Sequence, residues 1–511
     1  MKNHHQATGA AASHRSTVRR LLWAFLIGGM TLLLWNAIRV RPESSSELRV
    51  IALDCDLLMA DGACFPIPNI KKHKLLITGA PPGSLLVTLH GQTTEQAEAL
   101  IVDSNQSDYH LFLVPLPRKN AVYTVSAKGD KGTRTTLLQT FEPELPDWLR
   151  DLWNARYPNK KQGDQQEVKK EDTTVDRCTA VRRERATLAQ HASDPTLRSG
   201  VARSLYLSLT ARNLYARCID GDTTARPGVH NQEIIQTFRD AIQAAESARV
   251  ISERNENVLW LSEFLSKQAG RLDDAEKLLD AYKTPLQTDP RKISYYYRQI
   301  ALHQGLRHQL NDALQSLVQA LIWAQRIDDQ NAALDVVMQA ADFLLEHGRV
   351  ATAVKWVTQR WRSRGIQADA YQALDGEGCR QEELIRTKLR IIRVGREMAP
   401  LRSLPLGIES PEDLHTAFFA KQRNCEQELW RTEFLMDWAR LQLILGKREE
   451  VRQSLRMLFA EKHELHKESW VVAERRYLEG MLALQEGRVA EATSHFLALR
   501  ESSTSIADVS N

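Results

Sequence analysis

The chain has 511 residues, 43% hydrophobic and 26% charged, which is enough for two or three folded units. Lysine and arginine total 68 against 64 aspartate and glutamate, so a net charge of +4 creates no overall field to recruit nucleic acid. No nucleic-acid partner is expected.

Residues 1–20 form a short polar tail in which His4, His5 and His14 read as solvated side chains rather than metal ligands. Leu21 to Ile38 then runs without a charge, near the minimum length that crosses a bilayer as a helix, with Trp23 and Trp35 as interfacial aromatics. Residues 21–40 are therefore expected to be an uncleaved transmembrane signal-anchor. Lys2, Arg15, Arg19 and Arg20 precede it without acidic company, whereas Arg39, Arg41 and Arg49 mix with Glu43 and Glu47. This asymmetry puts the N-terminus in the cytoplasm and the bulk of the chain outside. A signal peptide cleaved after Ser46 is the competing reading.

From 48 to 143 the pattern has the two-residue period of strands: 48–54, 74–79, 84–91, 98–103, 109–115, 121–129 and 133–141, separated by Pro, Gly, Asn and Asp. Seven strands at this spacing predict a small all-β sandwich of immunoglobulin-like size. Cys55 and Cys64 flank a turn at Asp61-Gly62 and are expected to form a disulfide in an oxidising compartment. Cys178 with Cys218 and Cys379 with Cys425 are further candidate pairs whose connectivity the sequence leaves open. Residues 144–176 read as a linker, opening with a short helix that carries Trp148, Leu149 and Leu152 and continuing into a highly polar stretch.

Residues 177–502 change to long helical patterns, followed by a tail at 503–511. A turn residue recurs here, followed five places later by a small residue and four after that by a larger apolar one. The units are Gly270, Ala275, Leu279; His308, Ala313, Leu317; Gly348, Ala353, Val357; Gly446, Val451, Leu455; and Gly487, Ala492, Phe496. The Gly permits a tight turn between antiparallel helices, the small residue permits close packing, and the larger one fills the seam. On AGRLDDAEKLL (269–279), HGRVATAVKWV (347–357) and EGRVAEATSHF (486–496), the region 231–500 resembles the tetratricopeptide repeat (TPR) family. Successive units lie about 40 residues apart, with one gap of about two periods, longer than the family's repeat of about 34. The resemblance implies an irregular all-α solenoid of stacked hairpins that binds partner proteins.

Motifs for chemistry are scarce. GAPPGS (79–84) joins two strands and lacks the lysine of a phosphate loop, and no GxSxG elbow occurs. His463 and His466 lie three apart, where a zincin needs four. No catalytic residue, metal or cofactor is expected. Arg386, Lys388, Arg390, Arg393 and Arg396 form a dense basic run, with Leu389, Ile391 and Ile392 available for a core. It reads as the wet face of an amphipathic helix and, functionally, as a receptor for an acidic partner or phosphates. Tyr295, Tyr296, Tyr297, Trp323, Trp356 and Trp361 are candidates for a peptide groove, though core packing is the simpler account. The functional expectation is a single-pass, periplasmic scaffold or assembly factor of the bacterial inner membrane, binding other envelope or membrane proteins. An envelope enzyme, or an accessory subunit acting on cell-wall polymer or a maturation substrate, is the alternative.

Overall fold

A computed structural model describes residues 49–67, strand segments between 73 and 140, and residues 141–155, 177–215, 227–360, 377–398, 410–420, 428–458 and 469–507, apart from 199 and 268. The expected anchor and the tail before it, the polar part of the linker, His463 and His466, Trp361, Cys218 and Cys425 lie outside the described residues. No helix among the described residues is long and apolar enough to cross a membrane.

The chain is mostly helical with a small sheet region near the N-terminus. It divides into two compact units: residues up to Asp54 with Gly62–Pro66 and Ile70–Phe141, and then Cys55–Asp61, Ile67–Asn69 and Glu142 onward. In the first unit, β1 (Arg49–Ala52), β4 (His73–Thr78), β8 (Tyr109–Val114) and β7 (Glu98–Ala99) form an antiparallel sheet in the order β1-β4-β8-β7. A second sheet runs β3 (Cys64–Pro66), β10 (Gly132–Thr140), β9 (Ala121–Gly129), β5 (Leu86–His90), β6 (Glu95–Gln96). Only the β3–β10 pairing there is parallel. The expected alternation is present: Tyr123, Val125 and Leu138 are buried, while their neighbours Val122 and Leu137 face out. Cys55 and Cys64 are joined by a disulfide, and both are buried.

The second unit contains strand β2 (Cys55–Leu58) and the helices. The first are α1 (Asp147–Ala155), α2 (Arg177–Gln190), α3 (Gly200–Tyr215) and α4 (Pro227–Ser247). Then come α5 (Ile251–Lys267), α6 (Leu272–Ala281), α7 (Lys283–Gln287), α8 (Pro290–Leu306), α9 (Leu310–Arg326), α10 (Gln330–Glu346) and α11 (Val350–Lys355), which runs into a π-helical turn at Trp356–Arg360. The last are α12 (Glu377–Met398), α13 (Pro411–Ala420), α14 (Glu428–Ile444), α15 (Arg448–Leu458), α16 (Ser469–Gln485) and α17 (Val489–Ala507), which extends past the expected end at 502. Two segments sit differently from the sequence division. Cys55–Asp61, read within the sheet region, packs with the helices: the Leu58 amide donates to Ser252 Oγ at 3.1 Å and the Ala60 amide to the Arg249 carbonyl at 2.9 Å. Helix α1, read as the start of a linker, buries Leu149 and Trp153, and the Trp153 indole donates to Asp56 Oδ2 at 2.7 Å.

Every expected turn residue has a left-handed backbone: Gly270 (φ 64°), His308 (59°), Gly348 (67°), Gly446 (72°) and Gly487 (76°). At the last four, one pair of bonds closes the first helix. The turn residue's amide donates to the carbonyl three back (Gly305, Leu345, Leu443, Leu484), and the next amide donates five back (Gln304, Leu344, Gln442, Ala483). This is the Schellman closure. The residue after the turn then offers its own carbonyl to the amide of Ala313, Ala353, Val451 or Ala492, starting the next helix. At Gly270 the arrangement is one residue longer, Arg271 bonding to Leu265, and Ala275 again bonds to Arg271. The five-residue spacing is thus the turn residue, the shared residue, and four more to the first intrahelical donor. All five small residues are buried, as are Leu279, Leu317 and Val357, whereas Leu455 and Phe496 are half-buried.

His308 alone among these holds a left-handed conformation with a Cβ, at a cost of roughly 1 kcal/mol relative to glycine. His308→Gly should therefore raise stability by up to about 1 kcal/mol, and Gly446→Ala should lower it by a similar amount. Urea denaturation of both variants measures this; a His308→Gly protein no more stable than the parent would refute the strain.

Candidate functional site

The first helix of each hairpin packs against the first helix of the next, and charged side chains one repeat apart meet across those seams. Arg212 of α3 contacts Glu253 at 3.0 Å and Glu256 at 3.2 Å on α5, and Lys292 of α8 meets Glu256 at 3.0 Å. Tyr295 donates its hydroxyl to Glu263 of α5, and Gln299 donates to the same carboxylate at 3.2 Å. Arg298 reaches Asp335 of α10 at 2.8 Å while lying 5.3 Å from the centre of the Tyr295 ring. Arg390 of α12 pairs with Asp342 of α10 at 2.8 Å. On the other side of α12, Arg386 pairs with Glu433 and Arg393 with Asp437 at 2.8 Å, both on α14. Arg440 of α14 pairs with Glu474 of α16.

The result is a row of polar cross-links from α3 to α16. Arg298, Arg386, Arg390, Arg393, Arg440 and their partners recur at three- and four-residue steps, which keeps them on one face of each helix. Burial would raise the Glu263 carboxyl, but Lys267, the Tyr295 hydroxyl and Arg298 hold it below its ordinary value. Burial and the adjacent Glu263 carboxylate push the Tyr295 phenol well above its ordinary range, so it stays a donor. For Asp437 burial dominates and lifts the carboxyl, against the pull of Arg393, Arg390, Arg440 and Arg386.

Of the basic run, Arg386, Arg390 and Arg393 are turned into the seams on both sides of α12, while Lys388 and Arg396 also carry interactions. Leu389, Ile391 and Ile392 are buried beneath them. The reason is register: α10 and α14 present Asp342, Glu433 and Asp437 where these arginines emerge. Among the aromatic candidates, Tyr296 and Trp356 are core, and Tyr295, Tyr297 and Trp323 are half-buried. Arg212, Arg298, Asp335, Arg440 and Glu474 escaped sequence reading, because nothing in an isolated helix marks a charge whose partner lies a whole repeat away. Among the described residues no group of His, Cys, Asp and Glu is arranged to hold a metal ion. A comparison with family models finds no match for the chain, and a comparison with curated proteins finds none either.

One histidine lies inside the same seam. His303 of α8 is buried, its Nε2 3.4 Å from Ser262 Oγ on α5. Burial lowers its pKa from 6.5 to about 4, with Arg307 adding to the effect and Glu276 opposing it. The unfolded chain therefore binds the proton first as pH falls below 6.5, and stability should drop between that value and about 4. The total loss is up to about 3 kcal/mol. Denaturant titrations across this range should show the fall in the parent and a shallower one in His303→Gln; parallel curves would refute the assignment. A second expectation concerns Arg393 and Asp437, whose side chains are only 8% and 15% exposed. Arg393→Ala should cost about 3 kcal/mol by stranding the carboxylate, and a double-mutant cycle with Asp437→Ala should return a coupling of about 1 kcal/mol or more. Additive losses would show that the pair contributes no mutual stabilisation.

Proposed function

We propose that this protein is a membrane-anchored scaffold or assembly factor that collects partner proteins of a cell-envelope complex. In this reading residues 21–40 hold it in the inner membrane with the N-terminus in the cytoplasm, the sheet unit is an immunoglobulin-like sandwich, and the helical unit is a TPR-like solenoid in the periplasm. It makes and breaks no bonds. The observation that carries the reading is the row of cross-linked first helices. Stacked hairpins present such a row as an extended surface, and here that surface is stiffened by ion pairs joining each hairpin to the next. A rigid surface loses little conformational freedom on binding, which suits it to holding other proteins in place. The buried Cys55–Cys64 disulfide agrees with an oxidising compartment.

The test is a photo-crosslinking amino acid placed at Lys292 or at Gln339, which bonds to Arg298 across the α8–α10 seam, and at Asp280, exposed on the second helix α6. In native membranes the first two positions should capture a discrete envelope protein and Asp280 should not. Equal capture at all three, or turnover of a substrate by the purified protein, would overturn the proposal. An alkaline phosphatase fusion after Arg49 should be active if the topology is right.

A further inference from the structure

Residues Cys55–Asp61 lie as a strap across two successive boundaries between hairpins. At the first, α4 passes into α5 through Arg249, whose backbone is left-handed (φ 59°). The Arg249 amide donates to the Glu246 carbonyl and the Val250 amide to the Ala245 carbonyl, repeating the closure seen inside the hairpins, and the Val250 carbonyl accepts from Arg254. The strap docks onto this turn. Ala60 donates its amide to the Arg249 carbonyl at 2.9 Å, Met59 bridges Val250 as an antiparallel strand would, and the Leu58 amide reaches Ser252 Oγ at 3.1 Å. At the second boundary Asp289 caps α8 and pairs with Arg291, and the Arg291 guanidinium donates to the Cys55 carbonyl at 3.5 Å. Between the two, Asp56 accepts from the Trp153 indole.

The strap begins at Cys55, which the disulfide joins to Cys64. Cys64 is 0% exposed and Cys55 7%, and Asp56, Leu57 and Leu58 beside it are buried too. Thiol–disulfide exchange needs a thiolate to reach one of the sulfurs from outside, so enclosure blocks it in either direction. The bond therefore forms while the strap is still off the helices, and docking then seals it.

We propose that the Cys55–Cys64 pair is a maturation checkpoint: a disulfide donor acts on the chain before the strap docks, and the bond it leaves locks the α4–α5 and α7–α8 boundaries. One cysteine thiolate attacks the donor's disulfide, releasing one donor sulfur and leaving a mixed disulfide. The other cysteine thiolate then attacks that mixed disulfide, forming the Cys55–Cys64 bond and freeing the second donor sulfur. The donor takes up the two electrons and two protons that the pair gives up and leaves as a dithiol. A closed loop has fewer conformations to lose on docking, so the oxidised strap settles where the reduced one does not. Both boundaries feed the row of first helices, because Glu253 and Glu256 lie just past one and Lys292 and Tyr295 just past the other. The checkpoint goes beyond the scaffold reading and holds whatever that row binds.

The test uses the full chain in detergent, with mass spectrometry of the Cys55 and Cys64 peptides to read the bond. Dithiothreitol should reduce it at least roughly tenfold more slowly in the folded chain than in denaturant, and Ala60→Pro, which removes the amide bonded to Arg249 without touching a sulfur, should restore much of that rate. Hydrogen exchange gives the second readout. In Cys55→Ser/Cys64→Ser the amides of Ala60, Val250 and Ile293 should exchange roughly tenfold or more faster than in the parent, while those of Lys447 and Arg488 at the later turns stay unchanged. The parent refolded from the reduced state should show the same local loss and regain protection when glutathione disulfide is added. A bond reduced equally fast in folded and unfolded chains, an Ala60→Pro variant no more reducible than the parent, a serine variant as protected at Ala60 and Val250 as the parent, or a loss spread equally to Lys447 and Arg488 would each overturn the proposal.

Discussion

The residue following each left-handed turn position makes two backbone bonds, its amide closing the helix behind and its carbonyl opening the helix ahead, so two helices share a single boundary. That arrangement leaves no free linker between them. The second helix must leave the turn in a set direction, and the residue four places beyond the boundary must face back onto the first helix. Ala275, Ala313, Ala353, Val451 and Ala492 occupy that place and are buried. A large side chain there would wedge the hairpin open, and each later contact along the stack would inherit the displacement.

Hairpins made this way still need a register relative to one another, and apolar packing alone is permissive about it, since leucine and alanine faces tolerate sliding. The charged row supplies the discrimination. Sliding α12 by one helical turn would move Arg386, Arg390 and Arg393 away from Glu433, Asp342 and Asp437 and leave partly buried charges unpaired. Exposed ion pairs contribute little to stability in general, whereas a pair as covered as Arg393 and Asp437 penalises any stack that separates it. The same pairing withdraws the arginines from service as a simple basic patch and leaves a face on which these charges are already matched.

Helix α5 shows what happens where the stack is densest. Ser252, Glu253, Asn255, Asn257, Ser262 and Ser266 are all buried on it, because β2, α3, α4, α6 and α8 surround it. These polar groups are used: Ser252 receives the β2 backbone, Glu253 meets Arg212, Asn255 donates to Asp289 at 3.1 Å, and Asn257 donates to Ser208 at 2.6 Å. Asp289 in turn caps α8 and pairs with Arg291, whose guanidinium reaches towards the Cys55 carbonyl. The strand and the α5–α8 hairpin boundary are thereby tied through one polar network, and α1 adds a second tie through Trp153 and Asp56.

Local rules were legible in the sequence. The two-residue period marked most strands, the turn, small and large apolar pattern marked five hairpins, and the spacing of Cys55 and Cys64 marked their disulfide. Each of these depends on residues within about ten positions of one another, where backbone geometry dictates the outcome. What tertiary structure decided were the partners at long separation. Trp153 found Asp56, Leu58 found Ser252, and the basic run on α12 was divided between two neighbouring helices. A charge looks the same in sequence whether it faces water or a carboxylate a repeat away, because only the stacking of one hairpin on the next determines which groups it will meet.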